Sequence, residues 1–194
     1  MRWWWLWLGL LLGCSPDAAR NGEHFVGSVV DGGHVGSTAV LAGHDGKPHR
    51  LADFRGKAVL LFFGYTHCPD VCPTAMAELN RAMLLLGARA KEVQVLFVTL
   101  DPERDTAAVL SRYVPYFNPA FIGLRGDAEV TKQLARDFKA FYARQASDSR
   151  SGYTIDHEAG VYVFDRQGDL RLYMSHGLGG KEIAHDLALL LDEK

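Results

Sequence analysis

The chain has 194 residues and a formal net charge of −2, from 21 basic and 23 acidic side chains. Hydrophobic residues make up 48% and charged residues 23% of the sequence, proportions that suit a single globular domain and exclude both a disordered chain and a polytopic membrane protein. Because basic and acidic side chains nearly balance, the sequence shows no excess of positive charge, and we expect no nucleic-acid partner.

The first residues have the pattern of an export signal. An apolar run follows Arg2 and stops at Cys14. It is too short to cross a bilayer, which takes about 20 residues, but it suits the hydrophobic part of a signal peptide. Since Leu11–Cys14 resembles a bacterial lipobox, we predict a lipoprotein signal peptide over residues 1–13 and lipidation of Cys14. The alternatives are a plain cleaved signal or an N-terminal anchor with an incidental cysteine.

Removal of this signal would change the mature protein. Residues 14–33 are then predicted to be a lipidated N-terminus and tether, which places the protein in the bacterial cell envelope, anchored to a membrane and facing the periplasm or extracytoplasmic side. All four tryptophans lie in residues 3–7 and would be lost. Cys68 and Cys72 would be the remaining thiols, and outside the cytosol such a pair can oxidise.

Residues 34–194 are predicted to form one α/β domain. It begins with a β-hairpin of residues 35–41 and 47–51 around a Gly/Asp-rich turn. Continuous apolar runs predict buried strands over Lys57–Tyr65 and Val93–Leu100. The other predicted elements are helices over Pro73–Leu86, from Asp101 onward, over Asp127–Phe138 and over Lys181–Leu191, and a hairpin of Val161–Phe164 with Leu170–Met174. This order is typical of a thioredoxin-like fold with an additional N-terminal β-hairpin.

A pair of cysteines lies where the first buried strand passes into a helix. Cys68 and Cys72 are separated by three residues. The N-terminus of a helix favours a thiolate, although Asp70 should limit the fall in pKa. Residues four apart in a regular helix have Cβ atoms about 5–6 Å apart, whereas a disulfide needs about 3.8 Å. Cys68 must therefore lie at or before the first helical residue, which allows a disulfide or two thiolates on one soft metal ion; a pair of buried structural cysteines is the remaining alternative.

His157 is the candidate third ligand. It lies just before the predicted Val161–Phe164 strand, and in a thioredoxin-like fold the segment entering that strand faces the cysteine loop. Two thiolates and an imidazole suit Cu(I) or Cu(II), and zinc accepts the same donors. Asp156 is a candidate for orienting the imidazole, and His67 is a second histidine close to the pair.

Four segments of the chain resemble one known family. In order, GKAVLLFFGYTHCPDVCP, TLDPERDT, FIGLRGD and YTIDHEAGVYVFD are similar to the Sco (SenC) family of copper-binding cytochrome c oxidase assembly proteins, over about residues 35 to 193. The resemblance implies a thioredoxin fold, a membrane tether, and Cys68, Cys72 and His157 as copper ligands. It also implies delivery of copper to the CuA centre in the copper-bearing subunit of the oxidase, with a copper donor protein and a thioredoxin-like reductant as further partners.

Two features need separate interpretation. The segment Asp101–Asp105 matches the family, and we interpret it as structural or as a partner surface rather than as ligands. Glu158 departs from the family, because many relatives carry a small or hydroxyl residue after the histidine. A carboxylate there would add negative charge near the metal.

Three functions are compatible with these residues. The first is a copper metallochaperone, which needs the dithiol and His157. The second is a thiol–disulfide oxidoreductase that reduces the cysteines of a partner's copper site, which needs the dithiol alone. The third is a peroxiredoxin-like or redox-sensor role, for which the sequence supplies no dedicated peroxide pocket. Whether the protein is an enzyme stays open at this point.

Overall fold

The computed structural model describes residues 24–36, 38–147 and 152–193. The predicted signal peptide, Cys14 and the first part of the predicted tether lie outside the described residues. In the part that is described, no helix combines the length and the apolar character needed to cross a membrane.

Eight of the described strands form one mixed sheet, and two more form a separate antiparallel hairpin. The strands of the sheet are β1 Ser28–Gly33, β2 Leu41–Gly43, β3 Pro48–His49, β4 Ala58–Gly64, β5 Val93–Thr99, β6 Ile122–Arg125, β9 Val161–Phe164 and β10 Leu170–Met174. The hairpin consists of β7 Tyr142–Ala146 and β8 Tyr153–His157. The spatial order in the sheet is β1-β10-β9-β4-β5-β6-β2-β3, in which β4, β5 and β6 run parallel and the other neighbours run antiparallel.

Helices cover both faces of this sheet. The four α-helices are α1 Val71–Leu86, α2 Ala107–Phe117, α3 Ala128–Asp137 and α4 Gly180–Asp192, and 3₁₀ turns lie at Leu51–Phe54 and Gly87–Glu92. Side chains alternate along β4, so that Leu60 and Phe62 pack with α1, α2 and α4, whereas Leu61 and Phe63 pack with α3. Because both faces of β4 are buried, its sequence is a continuous apolar run without alternation.

Most predicted elements are confirmed, with shifted ends. The helix predicted from Pro73 begins two residues earlier, at Val71. Proline is tolerated in the first turn of a helix, because its missing N–H has no partner there anyway. The N-terminal hairpin is confirmed but short: β2 and β3 pair through Leu41 and His49, and the turn contains Gly46 at a φ of +80°.

The predicted start of the second helix is wrong. Residues 101–105 form a turn in which the N–H of Asp105 donates to the carbonyl of Asp101 at 2.9 Å. Helix α2 begins only at Ala107, and the Thr106 hydroxyl caps it by accepting the N–H of Val109 at 3.3 Å. The acidic residues Asp101, Glu103 and Asp105 lie before the first turn of α2. The carboxylates of Asp101 and Asp105 are completely buried.

An edge strand precedes the domain predicted from residue 34. Residues 28–33, which belong to the predicted tether, form the strand β1, which pairs antiparallel with β10. The residues just before it are fixed by the buried carboxylate of Asp186 on α4, which accepts the N–H groups of Val26 and Gly27 at 2.9 and 2.7 Å. Since β1 has the sequence SVVDGG, it offers little apolar pattern from which a strand could be predicted.

Candidate metal site

The strand-to-helix junction positions both cysteines. The N–H of Cys68 donates to the carbonyl of Tyr65 at 3.3 Å in the loop after β4, which places Cys68 before α1. Cys72 is the second residue of α1 and is buried, whereas Cys68 is only partly buried. The two thiols are free, and the backbone N–H of Cys72 points at the Cys68 sulfur at 3.4 Å. The placement expected from the spacing is confirmed.

His157 reaches the cysteines from the end of β8. Its Nε2 atom lies 3.3 Å from the Cys72 sulfur. The Nδ1 atom lies 3.1 Å from the backbone carbonyl of Glu158, and since a carbonyl can only accept, Nδ1 carries the proton and Nε2 presents its lone pair to the sulfurs. The ring packs edge-on against Phe62 and Tyr65, with centroids 6.3 and 5.9 Å away.

The group that orients the imidazole is therefore not the one predicted. Asp156 is exposed, and because side chains alternate along a strand it points to the other side of β8 from His157. The carbonyl of Glu158 takes that role. Backbone carbonyls commonly fix the orientation of metal-binding histidines, but every residue has one, so no sequence signal distinguishes it.

The three side chains make a compact donor set. The sulfurs of Cys68 and Cys72 and a ring nitrogen of His157 lie within 4.8 Å of one another. Two sulfurs and one imidazole suit a soft or borderline metal ion, and the mutual distances allow all three to face one ion. The residues present thus fit the copper ion that the sequence predicts.

The two thiols have opposite electrostatic environments. The hydrogen bond from the Cys72 thiol holds the pKa of Cys68 well below its usual range, and the backbone N–H groups of Cys72 and Asp70 lower it further. The same hydrogen bond to Cys68, together with burial, raises the pKa of Cys72. The pKa of Cys68 falls further than expected for a thiol close to Asp70, and the backbone N–H of Asp70 contributes to the fall. Cys68 is therefore the thiolate, and Cys72 holds the proton.

This difference predicts selective alkylation. Iodoacetamide should modify Cys68 before Cys72 in the reduced protein, because Cys68 is more exposed and is already a thiolate. A lowered pKa means that the thiolate persists as the pH falls, so the rate at Cys68 should stay near its plateau well below pH 8.5, about the pKa of a free cysteine. Peptide mapping by mass spectrometry across a pH series measures both rates. Cys72→Ala should move the profile of Cys68 toward higher pH, and equal modification of both thiols at neutral pH would contradict the assignment.

Gly64 makes room for the Cys72 sulfur. A Cβ atom at this position would lie 3.0 Å from Cys72 Sγ and 2.8 and 2.9 Å from the rings of Phe97 and Phe62. These neighbours are buried, so they have little space in which to move. A glycine that ends a buried strand just before a cysteine loop is a sequence signal for such a close approach.

Gly64→Ala should therefore disturb both the fold and the thiols. We expect the free energy of unfolding to fall by about 1–3 kcal/mol, the usual cost of overpacking a core, and the pH profile of Cys68 alkylation to shift because the Cys72 thiol is displaced. Urea denaturation and the alkylation assay measure the two effects. Wild-type results in both assays would show that Gly64 is not required for the position of the sulfur.

The other predicted neighbours of the site make different contacts. His67 is 43% exposed, and its Nδ1 atom lies 3.2 Å from the Thr66 hydroxyl and 3.8 Å from the carboxylate of Asp105. Glu158 accepts a hydrogen bond from the Tyr173 hydroxyl at 2.8 Å. The Glu158 carboxylate thus has a partner on β10, while the carbonyl of the same residue holds His157.

Comparisons with known proteins point to one family. A family model described as SCO1/SenC matches residues 30–192. The chain is 39% identical over 145 residues to a bovine protein described as "Protein SCO2 homolog, mitochondrial", a match that covers 74% of this chain and 54% of the relative. The chain therefore spans little more than half the length of that relative.

Solved structures show the same architecture. The chain is similar to Bradyrhizobium japonicum ScoI with copper bound, with a TM-score of 0.74 and 33% identity over 80% of this chain and 99% of the other. It is also similar to apo Sco1 from Thermus thermophilus, with a TM-score of 0.75 and 38% identity over 86% and 97%. These likenesses confirm the predicted thioredoxin-like α/β fold. Together with the match over residues 30–192, they show that the chain belongs to the SCO1/SenC family.

Proposed function

We propose that this protein is a copper metallochaperone that binds copper through Cys68, Cys72 and His157 and assists assembly of the CuA centre of cytochrome c oxidase. The observation that carries the proposal is the convergence of two sulfurs and one imidazole nitrogen within 4.8 Å. Membership of the SCO1/SenC family and the copper in the similar B. japonicum protein support it.

The chain prepares the donor atoms for a soft metal ion. The Cys68 sulfur is already deprotonated, and the Nε2 atom of His157 presents its lone pair while Nδ1–H donates to the Glu158 carbonyl. The Cys72 thiol must lose its proton on binding, so copper binding should release a proton. Cys68 is the more exposed sulfur, and it is the donor from which a partner could take the metal. The copper is then cargo, passed to the copper-bearing subunit of the oxidase after uptake from a donor protein.

The composition of the loaded site tests the proposal. Purified reduced protein, exposed to copper and then desalted, should retain one copper per chain, with X-ray absorption showing two sulfur ligands and one imidazole nitrogen. Blocking the thiols with N-ethylmaleimide before loading should abolish retention. Because zinc accepts the same donors, a zinc arm serves as the comparison. Copper that is easily displaced by zinc, or a spectrum without sulfur, would contradict the proposal.

A second function is favoured by the two free thiols. A low-pKa cysteine that is partly exposed beside a buried one is the arrangement used in thiol–disulfide exchange, where the exposed thiolate attacks and the second thiol resolves the mixed disulfide. Cys68 would then reduce the cysteines of a partner's copper site, and a thioredoxin-like reductant would restore the dithiol. This activity does not need His157, so a histidine variant separates it from metal binding.

We also propose that Cys14 carries a lipid anchor that holds the protein at a membrane of the bacterial cell envelope, facing the periplasm or extracytoplasmic side. The support is the lipobox-like Leu11–Cys14 sequence. Cys14→Ser should abolish incorporation of labelled fatty acid, whereas Cys68→Ser should leave it unchanged. Because all tryptophans precede Cys14, the processed protein should show tyrosine-like emission. Fatty-acid labelling that persists in Cys14→Ser would exclude this anchor.

A further inference from the structure

The turn of residues 101–105 lies between the two halves of the metal site. It follows β5 and precedes α2, and it provides none of the three proposed ligands. Its two carboxylates, Asp101 and Asp105, are both 0% exposed. Buried carboxylates are costly unless they are paired or hydrogen-bonded, so their partners indicate what the turn holds in place.

Asp105 holds the cysteine loop. Its carboxylate accepts the backbone N–H of Thr66 at 3.0 Å and the Thr66 hydroxyl at 2.6 Å. It also accepts the hydroxyl of Thr99, at the end of β5, at 2.6 Å. Thr66 precedes Cys68 by two residues, so these three bonds fix the approach of the loop to its first sulfur relative to the sheet.

Asp101 holds the strand that carries His157. Its carboxylate accepts the Tyr153 hydroxyl at 2.8 Å and the Nε–H of Arg104. Arg104 also donates to the backbone carbonyl of Tyr153 at 3.1 Å, and its guanidinium stacks over the Tyr153 ring at 3.5 Å from the centroid. Tyr153 is the first residue of β8 and His157 is the last, so the Asp101–Arg104 pair fixes the start of the strand whose end reaches the sulfurs.

Tyr65 connects the two halves directly. Its hydroxyl accepts the backbone N–H of Ile155 at 3.2 Å, in the middle of β8. Its ring is buried and contacts His157 edge-on. Since Tyr65 lies in the cysteine loop, its contacts hold the loop and β8 in place relative to each other, in addition to the bonds that each makes with the turn.

A second metal site at this turn does not fit the contacts. Oxygen or nitrogen atoms of His67, Asp101 and Asp105 lie within 4.8 Å of one another, which is close enough for a cation. However, the Asp105 carboxylate already accepts three hydrogen bonds, and the Asp101 carboxylate is paired with the Arg104 guanidinium. A cation here would break these bonds and face a positive side chain. The two carboxylates are therefore better explained as groups that hold neighbouring residues in place than as metal ligands.

We propose that Asp105 and the Asp101–Arg104 pair are positioning groups that act on separate halves of the site: Asp105 sets the cysteine loop, and Asp101 with Arg104 sets the reach of His157. Their effect on copper rests on the proposed function, but their effect on the metal-free protein does not. Because Tyr65 also joins the two halves, the inference predicts that each variant disturbs the half that its own group contacts more than the other half.

Two variants test the separation. Arg104→Met removes the hydrogen bond and the stacking that Arg104 provides to Tyr153, and Thr66→Val removes one of the bonds to Asp105 while keeping the backbone N–H. Hydrogen exchange of the metal-free protein should show faster exchange in β8 for Arg104→Met and a smaller change for Thr66→Val. The rate of Cys68 alkylation should change more for Thr66→Val than for Arg104→Met. Arg112→Met, on the exposed side of α2, is the matched control and should change neither.

Copper then provides a second readout. Arg104→Met should lower Cu(II) affinity by about 10-fold or more, the usual effect of removing a group that orients a ligand, and should alter the thiolate-to-Cu(II) absorption band while disulfide formation stays at the wild-type rate. If Arg104→Met also loses exchange protection in the core strand β4, the fold is affected and Tyr153→Phe takes its place. Tyr153→Phe keeps the ring and removes the hydroxyl that donates to Asp101, with exposed Tyr116→Phe as its control.

The outcomes distinguish this inference from the proposed function. Wild-type protein that fails to retain copper contradicts the proposed function, yet the exchange and alkylation results on the metal-free protein still test the positioning. Faster exchange confined to β8 supports the inference. Wild-type exchange in β8 for both Arg104→Met and Tyr153→Phe, or equal effects of Arg104→Met and Thr66→Val on both halves, overturns it.

Discussion

His157→Ala should abolish most Cu(II) affinity and leave the Cys68–Cys72 pair able to form a disulfide. The imidazole is the one nitrogen donor of the proposed set, and its Nε2 atom lies 3.3 Å from the Cys72 sulfur. Two thiolates can still hold Cu(I), which accepts few soft ligands, but they hold Cu(II) poorly. We expect the loss in Cu(II) affinity to exceed the roughly 10–100-fold that removal of an orienting group costs, since a ligand itself is lost.

Disulfide formation should not depend on His157, because both cysteines lie at the same strand-to-helix junction. Cys68 lies in the loop after β4 and Cys72 in the first turn of α1, so their separation depends on this junction and not on β8. Reduced wild type and variant should be loaded with Cu(I) and with Cu(II) and titrated against a competing chelator, while disulfide formation is followed by thiol counting. The exposed His176, replaced by alanine, is the control. If the His157 variant keeps the wild-type Cu(II) affinity and spectrum, His157 is not a ligand, and the oxidoreductase becomes the better proposal.

Oxidation of Cys68 and Cys72 should exclude copper from the site. Both sulfurs must be thiolates to bind the metal, and a disulfide removes both donors at once. The lowered pKa of Cys68 means that its thiolate is present below the pH at which a free cysteine titrates, so oxidation should remain possible in mildly acidic buffer. We expect retained copper to fall from one per chain to background after oxidation, and to return after treatment with dithiothreitol.

The measurement is copper per chain in the oxidised and re-reduced states of one preparation. A Cys14→Ser background removes the third cysteine of the sequence, so that only the pair can react. A Cys68→Ser variant in that background should retain little copper in either state, which separates loss of a donor from loss of redox control. Equal copper content and affinity in the oxidised and reduced protein would show that the two sulfurs are not ligands.

The sequence predicts best the features that neighbouring residues determine. The apolar runs of β4 and β5 predict buried strands, because both faces of each strand are covered. The separation of Cys68 and Cys72 predicts that the first cysteine precedes the helix, because helical geometry keeps residues four apart too far for a disulfide. The edge strand β1 is missed because its sequence, SVVDGG, has little apolar pattern and the strand depends on distant β10 for its pairing.

The sequence by itself determined the donor types and the local geometry of the dithiol, since a strand end, a loop and the first turn of a helix are fixed by adjacent residues. Only the tertiary structure decided how His157 meets Cys72, because the two are 85 residues apart and are joined through the packing of β8 against the loop and the turn. It also decided that the Glu158 carbonyl orients the imidazole and that residues 101–105 hold both halves of the site. The partners of these buried carboxylates include residues that are distant in the sequence, so the residues next to each carboxylate do not predict what it holds in place.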